Sequence, residues 1–213
     1  MKLQNSENMV VLGSFLGITA VVAASVLAIV SMYTQQPIRQ AQEKNRQKAF
    51  HRLLLPDFDT VGRSVDAGGC SFTPVLQDGV ICGYVGQSSS RGGYGGEIEA
   101  LVGFDVRGRI TAVQILRHKE TPGLGANVCD RKFQRTVFNL RESAPEVPGN
   151  AFLDQFSSRD SRSAGRWRIS KDGGEFDYLT GATVTSRAVT GLVDRISAAF
   201  AGSGLGKSEG DKR

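Results

Sequence analysis

No charged side chain occurs between Asn8 and Ile38, and Met9 to Tyr33 is mostly Val, Leu, Ile, Ala, Phe and Gly. At ~1.5 Å per residue a helix of that length crosses the ~30 Å hydrocarbon layer of a bilayer. An open or irregular chain cannot do so, because lipid offers its backbone groups no hydrogen-bond partner. The run therefore predicts one transmembrane helix over 9–33, preceded by a short N-terminal segment, 1–8. A cleaved signal peptide is the competing reading, with Val22-Ala23-Ala24 as a poor cleavage site. Its apolar core is normally only about 7–15 residues long, so a retained anchor is favoured.

Beyond the anchor, Ile38 to Leu55 holds neither Pro nor Gly and reads as a membrane-proximal helix within 34–56, stopped by Pro56. Arg39, Lys44, Arg46, Lys48 and Arg52 crowd this side, against Lys2 on the other. Counting positive charges places the remainder of the chain in the cytoplasm. With 40% hydrophobic and 22% charged residues, 57–201 suits one globular domain, and the glycine-rich, charged 202–213 a disordered tail. The net charge of +5 is scattered among acids, with no basic motif interleaved with aromatics. That pattern argues against nucleic acid and fits a surface near lipid headgroups.

Three cysteines, Cys70, Cys82 and Cys129, with His51 and His118, are too few and wrongly spaced for a zinc or iron–sulfur site. Cys70 and Cys82 are either bridged, in an oxidising compartment, or buried free thiols.

Within the domain, Ile98, Ala100, Val102 and Phe104 alternate with other residues, the period of a half-buried strand. Val106 to Arg109 reads as a hairpin turn and Ile110 to Leu116 as the return strand, an antiparallel pair. Phe133 to Leu140 reads as a short helix and 145–165 as polar loop. Val189, Leu192, Val193, Ile196 and Phe200 recur on one helical face, with Thr185 or Ser186 as the N-cap. The fold class is α+β: an N-terminal transmembrane helix, then a mostly antiparallel sheet with packed helices.

Three segments stand out. Asp177-Tyr178-Leu179-Thr180-Gly181-Ala182-Thr183 places a threonine hydroxyl just before the helix. Orphan backbone N–H groups and the positive end of the dipole make such a place suited to a phosphate. Taken alone, Thr180 and Thr183 are more readily turn and capping residues, since Ser/Thr-rich helix starts are common. His118-Lys119-Glu120-Thr121-Pro122-Gly123-Leu124-Gly125 follows the return strand as a tight Pro-Gly loop able to bring bare backbone against a flat ring. Gly92-Gly93-Tyr94-Gly95-Gly96 leads into the first strand. Tyr94 serves either to stack on a ring or to fill the end of the sheet, and the second is the commoner use of an aromatic beside glycine turns. His118 is read as a turn histidine beside the loop, able to influence a bound ring.

In this order, and with Trp167-Arg168-Ile169 before Lys171-Asp172-Gly173-Gly174, the segments resemble the FMN-binding domain family over about Tyr84 to Phe200. Within it they resemble the G subunits of Rnf electron transport complexes and, less closely, the C subunits of sodium-translocating NADH:quinone reductases. The resemblance implies FMN joined covalently, through its phosphate, to Thr183. Asp177, Thr180, Gly181 and Ala182 would form the signal read by a flavin transferase that uses FAD and magnesium. Glu120, Thr121, Pro122, Gly123, Leu124 and Gly125 would lie against the cofactor.

It implies further an electron relay, without a catalytic residue of its own, inside an ion-translocating ferredoxin:NAD oxidoreductase whose other membrane subunits are its partners. No metal is implied in the chain, and no nucleotide-binding glycine motif follows a strand. The implied place is the bacterial inner membrane, single-pass, with the main domain periplasmic, against the charge count. Two other readings are a non-redox structural subunit and a stand-alone flavin-dependent reductase, the latter lacking any added substrate domain.

Overall fold

The computed structural model describes residues 3–53, 58–131 and 149–206. The chain divides into two compact units, 1–45 and 46–213. The first is helical. Helix α1, Leu3–Leu53, runs on without a break at Pro37, so the anchor and the membrane-proximal helix expected separately are one element. Its apolar span, Met9–Pro37, buries none of its side chains against protein. Ser14, Thr19 and Ser25 donate to the carbonyls of Val11, Leu16 and Val21, so these hydroxyls need no water. That is the polar economy lipid demands.

The second unit is built on an antiparallel sheet. Its strands are β1 (Thr60–Val61), β2 (Val65–Ala67), β3 (Cys70–Gln77), β4 (Val80–Gly93), β5 (Gly96–Asp105) and β6 (Ile110–Arg117). They lie in the order β1-β3-β4-β5-β6, with β2 also pairing with β3. The alternation over Ile98 to Phe104 correctly marks the first strand of the β5–β6 hairpin, whose second strand ends the sheet order. Asp105 closes its turn, accepting from the N–H groups of Arg107 and Arg109 at 2.9 and 2.8 Å. β5 is buried on both faces, which is why Leu101 and Gly103 are as enclosed as Val102 and Phe104.

After the short helix α2, Gly125–Cys129, and α3, Ala151–Asp154, helix α4, Thr183–Ser203, lies across one face. Its Val189, Leu192, Val193, Ile196 and Phe200 enter one core with Phe72, Ile98, Val102 and Phe104. Phe200 stacks on Phe104 at 4.3 Å between ring centres and tilts against Phe72 and Tyr84. Gly86 in β4 admits this approach: a Cβ there would meet Ile196 at 2.7 Å and Phe72 at 2.8 Å. On the other face Val75, Val85 and Leu101 pack with Ala49 from the end of α1. Burial of this kind stabilises by about 25 cal/mol per Å² of apolar surface and fixes α4 against the sheet.

Several expectations change. Residues 145–165 are not all loop: α3, Ala151–Asp154, is capped by Asn150, and a 3-10 turn covers Ser161–Ser163. The apolar Phe152, Leu153 and Phe156 pull this segment into the core. Cys70 and Cys82 are free thiols, as is Cys129. Cys70 belongs to the core under α4 and Cys82 to the opposite face, and the β3–β4 register sets them at opposite ends of the ladder. The helix expected over Phe133 to Leu140 and the stop at Pro56 lie outside the described residues. So does most of the tail, although α4 continues to Ser203 before Gly204 turns the chain at φ 73°.

Candidate functional site

Three turns meet at the N-terminal end of α4. Tyr94 and Gly95 form the tip between β4 and β5, the Pro-Gly loop follows β6, and Leu179 to Ala182 turns into the helix. In that last turn the Ala182 N–H donates to the Leu179 carbonyl at 3.0 Å, while Gly181 takes φ 86°, a region that suits glycine. Thr183 is thereby the first helical residue, not the residue before it. The N-cap is Ala182, without a side-chain cap. Neither Thr185 nor Ser186 caps the helix, because both lie within its first turn. The Ser186 hydroxyl accepts from the Leu179 N–H at 3.2 Å, and the Thr185 hydroxyl is bound elsewhere.

That other partner is Glu120. The residue is 6% exposed, yet among the described residues no cation pairs with its carboxylate. Oε2 accepts from the Thr185 hydroxyl at 2.6 Å, and Oε1 accepts from the Gly95 N–H at 3.0 Å. One side chain so ties the hairpin tip, the Pro-Gly loop and α4 together. Glycines make room for it: a Cβ on Gly93 would stand 2.5 Å from Oε1, and one on Gly125 would overlap Oε2. The Glu120 N–H in turn donates to Nδ1 of His118, whose Nε2 lies 2.8 Å from Asp130. His118 is thus a strut behind the loop and does not line the cavity.

The three turns enclose a cavity of about 500 Å³. It is lined by Glu120, Thr121, Leu124, Gly125, Gly181, Ala182 and Thr183, together with Tyr94, Val184 and Thr185. Parts of two segments far apart in sequence, within 120–125 and 181–183, therefore share one wall. Pro122, Gly123, Asp177 and Thr180 are exposed and do not line it. Gly123 holds φ 80° in the loop, and the Asp177 N–H donates to Gln155 at 2.8 Å. Tyr94 corrects the packing expectation: it is 75% exposed and lines the cavity instead of closing the sheet. Its four flanking glycines were the available signal. A larger groove of about 780 Å³ lies beside Arg117 and Arg195. Both arginines are engaged there: Arg117 pairs with Glu99 at 3.3 Å, and Arg195 donates to the Ser89 carbonyl. None of the three segments lines it, so we place the site at the smaller cavity.

Chemically the cavity offers a hydroxyl, a helix terminus and flat apolar surface. Among the described residues nothing hydrogen-bonds the Thr183 side chain. The first N–H groups of α4 have no carbonyl four residues back, and they carry the positive end of the helix dipole. Tyr94, Leu124 and Val184 are large apolar side chains left 75%, 49% and 44% exposed. The volume falls in the range of small-molecule sites. A flat heteroaromatic ring with a phosphate tail fits this donor set. Behind the wall, burial first and then the carboxylates of Glu120 and Asp130 push the Cys129 thiol up to about 12. It stays protonated and inert at neutral pH.

The model of the FMN-binding domain family matches residues 93–197, a range that begins at the hairpin tip and ends in α4. The G subunit of the ion-translocating oxidoreductase complex from Pseudomonas aeruginosa strain UCBPP-PA14 is 34% identical over 194 residues, 84% of this chain and 83% of its own. The chain belongs to this family of G subunits. Its counterpart from Shewanella loihica is 30% identical over 202 residues, 88% of this chain and 87% of its own. The Haemophilus influenzae PittEE relative shares 36% over 119 residues, 56% of this chain and 50% of its own. The chain is accordingly a membrane-anchored subunit of an electron-transport oxidoreductase complex, and it carries an FMN-binding domain.

Proposed function

We propose that this G-type subunit relays electrons through FMN bound covalently to Thr183. The observation that carries the reading is the Thr183 side chain: half-buried, without a hydrogen bond among the described residues, and set in the cavity wall at the start of α4. Thr185 and Ser186, two and three residues on, have hydroxyls already engaged. Thr180 is exposed and stands outside the cavity.

In the transfer, the Thr183 hydroxyl oxygen bonds to the FMN phosphorus of FAD. AMP leaves with the bond it shared with that phosphorus, and the hydroxyl proton is released. A flavin transferase with magnesium would supply the catalysis. Asp177, Thr180, Gly181 and Ala182 would present the acceptor. The first N–H groups of α4 would hold the phosphate, and Tyr94, Leu124 and the Thr121–Gly125 backbone would border the ring. When bound, FMN supplies exchange of one or two electrons. The chain's own contribution is tethering, orientation and exclusion of water.

The deciding measurement is mass spectrometry of the peptide spanning Thr180 to Thr185 after co-expression with a flavin transferase. An FMN adduct mapped to Thr183 is expected. An adduct on Thr180, or none despite an active transferase, overturns the assignment.

The wider setting follows the same reading: an inner-membrane, single-pass subunit of a ferredoxin:NAD-type, ion-moving complex, with other membrane subunits as redox partners. Residues 9–33 would span the bilayer and 57–201 form the periplasmic FMN domain. A covalent bond suits that side, where a dissociated flavin would be lost. Reporter fusions at the C-terminus check this: alkaline phosphatase should be active and a cytoplasm-dependent fluorescent protein dark. The reverse pattern would instead bear out the charge count over Arg39 to Arg52.

A further inference from the structure

Glu120 occupies an unusual position for an acid. Its side chain is buried, and among the described residues its oxygens receive one backbone N–H and one hydroxyl but no cation. Both partners donate, the pattern a carboxylate accepts. Here three glycines are spent on admitting it, since a Cβ at Gly93 or Gly125 would strike its oxygens and one at Gly95 would strike the Lys119 carbonyl beside it. Glu120 lines the same cavity as Thr183, Tyr94 and Leu124.

A charge without a counter-charge acts strongly at short range where water is excluded. Reduction of a flavin adds electron density to its ring system, so a fixed negative charge beside the ring disfavours the reduced form. We propose that Glu120 is an electrostatic determinant of the cofactor's redox poise, lowering the reduction potential of the flavin carried by Thr183. The inference rests on the covalent-FMN reading above. Glu120 performs two tasks with one group: it fastens the three turns, and it makes the bound flavin a stronger reductant than a neutral side chain would.

The two tasks separate in variants of the full-length, flavinylated protein. Glu120→Gln keeps the shape and removes the charge. Its amide can still accept from Gly95, while the Thr185 hydroxyl rotates to accept in its turn. Thr185→Val keeps the charge and removes a donor that disperses it. Mass spectrometry first confirms the adduct on Thr183, and a spectroelectrochemical titration at pH 7 then reads the midpoint potential.

The expected result is a shift to more positive potential in Glu120→Gln and an unchanged or more negative potential in Thr185→Val. Equal potentials in Glu120→Gln and wild type overturn the proposal, as does a shift of both variants to more positive values, which loosened packing alone would produce. If Glu120→Gln does not take up flavin, a rise in Thr185→Val is sufficient to overturn it. If wild type carries no adduct, the parent reading falls and this one with it.

Discussion

Thr183→Val is expected to carry no covalent flavin at all while keeping its fold. Valine replaces a hydroxyl by a methyl on the same β-branched frame, so χ1 and helix propensity change little. No hydrogen bond is lost among the described residues, and the packing of Val189 to Phe200 against the sheet is untouched. The melting temperature should stay within about 2–3 °C of the unmodified wild type, the effect of less than ~1 kcal/mol in a domain of this size. Fluorescence of a denaturing gel under ultraviolet light reads the other half. A band near 22.9 kDa is expected for wild type co-expressed with the transferase and no band for the variant. Retained fluorescence in Thr183→Val would remove Thr183 as the acceptor. Thr180→Val serves as the paired control, since it is expected to alter recognition by the transferase without removing the attachment atom.

Gly95→Ala should be the most damaging small change near the cavity. A Cβ there would overlap the Lys119 carbonyl, which is backbone and cannot swing aside. To relieve the clash the hairpin tip must move off the loop, and the Gly95 N–H then leaves Glu120, a buried carboxylate that depends on it. The expected loss is about 3 kcal/mol, the upper end of what overpacking usually costs. In melting temperature this is roughly 10 °C, read by circular dichroism on the unmodified protein. Gly123→Ala separates crowding from backbone strain. Its φ is 80° but nothing stands within 4 Å of the new Cβ, so only about 1–2 kcal/mol of left-handed strain is expected. Equal effects of the two substitutions would mean that the close approach at Gly95 is unimportant.

Local patterns carried much of the architecture. An uncharged run longer than a bilayer is thick admits one solution, and α1 follows it. Alternation over Ile98 to Phe104 reports a strand, and the helical spacing of Val189 to Phe200 a helix with one buried face, because a side chain's period is set by its own backbone; that β5 is covered on both faces was not legible in that alternation. Positions decided by neighbours distant in sequence were less readable. The N-cap at Ala182 could not be foreseen, because Thr185 and Ser186 are typical cap residues until Glu120 and Leu179 claim their hydroxyls. The turns at 151–163 were hidden behind polar composition, since a few aromatic side chains sufficed to bury them. For Tyr94 the local pattern pointed to packing, whereas its side chain lies exposed at the β4–β5 tip and lines the cavity.

The same division applies to the site. The motifs over His118 to Gly125 and Asp177 to Thr183 are strings of residue types, so the family and its cofactor class could be read from them without coordinates. Strings alone do not state that the two segments form one wall, that Thr183 opens the helix with its hydroxyl unengaged, or that Glu120 lies between the turns with no cation among the described residues to balance it. Those facts depend on where α4 crosses the sheet, and that placement is set by the summed packing of Phe72, Phe104, Ile196 and Phe200. Periodicity and membrane length are local properties of the chain. The cavity arises only where three turns, two of them joined across 65 residues by the Glu120–Thr185 bond, are pressed together by a shared core.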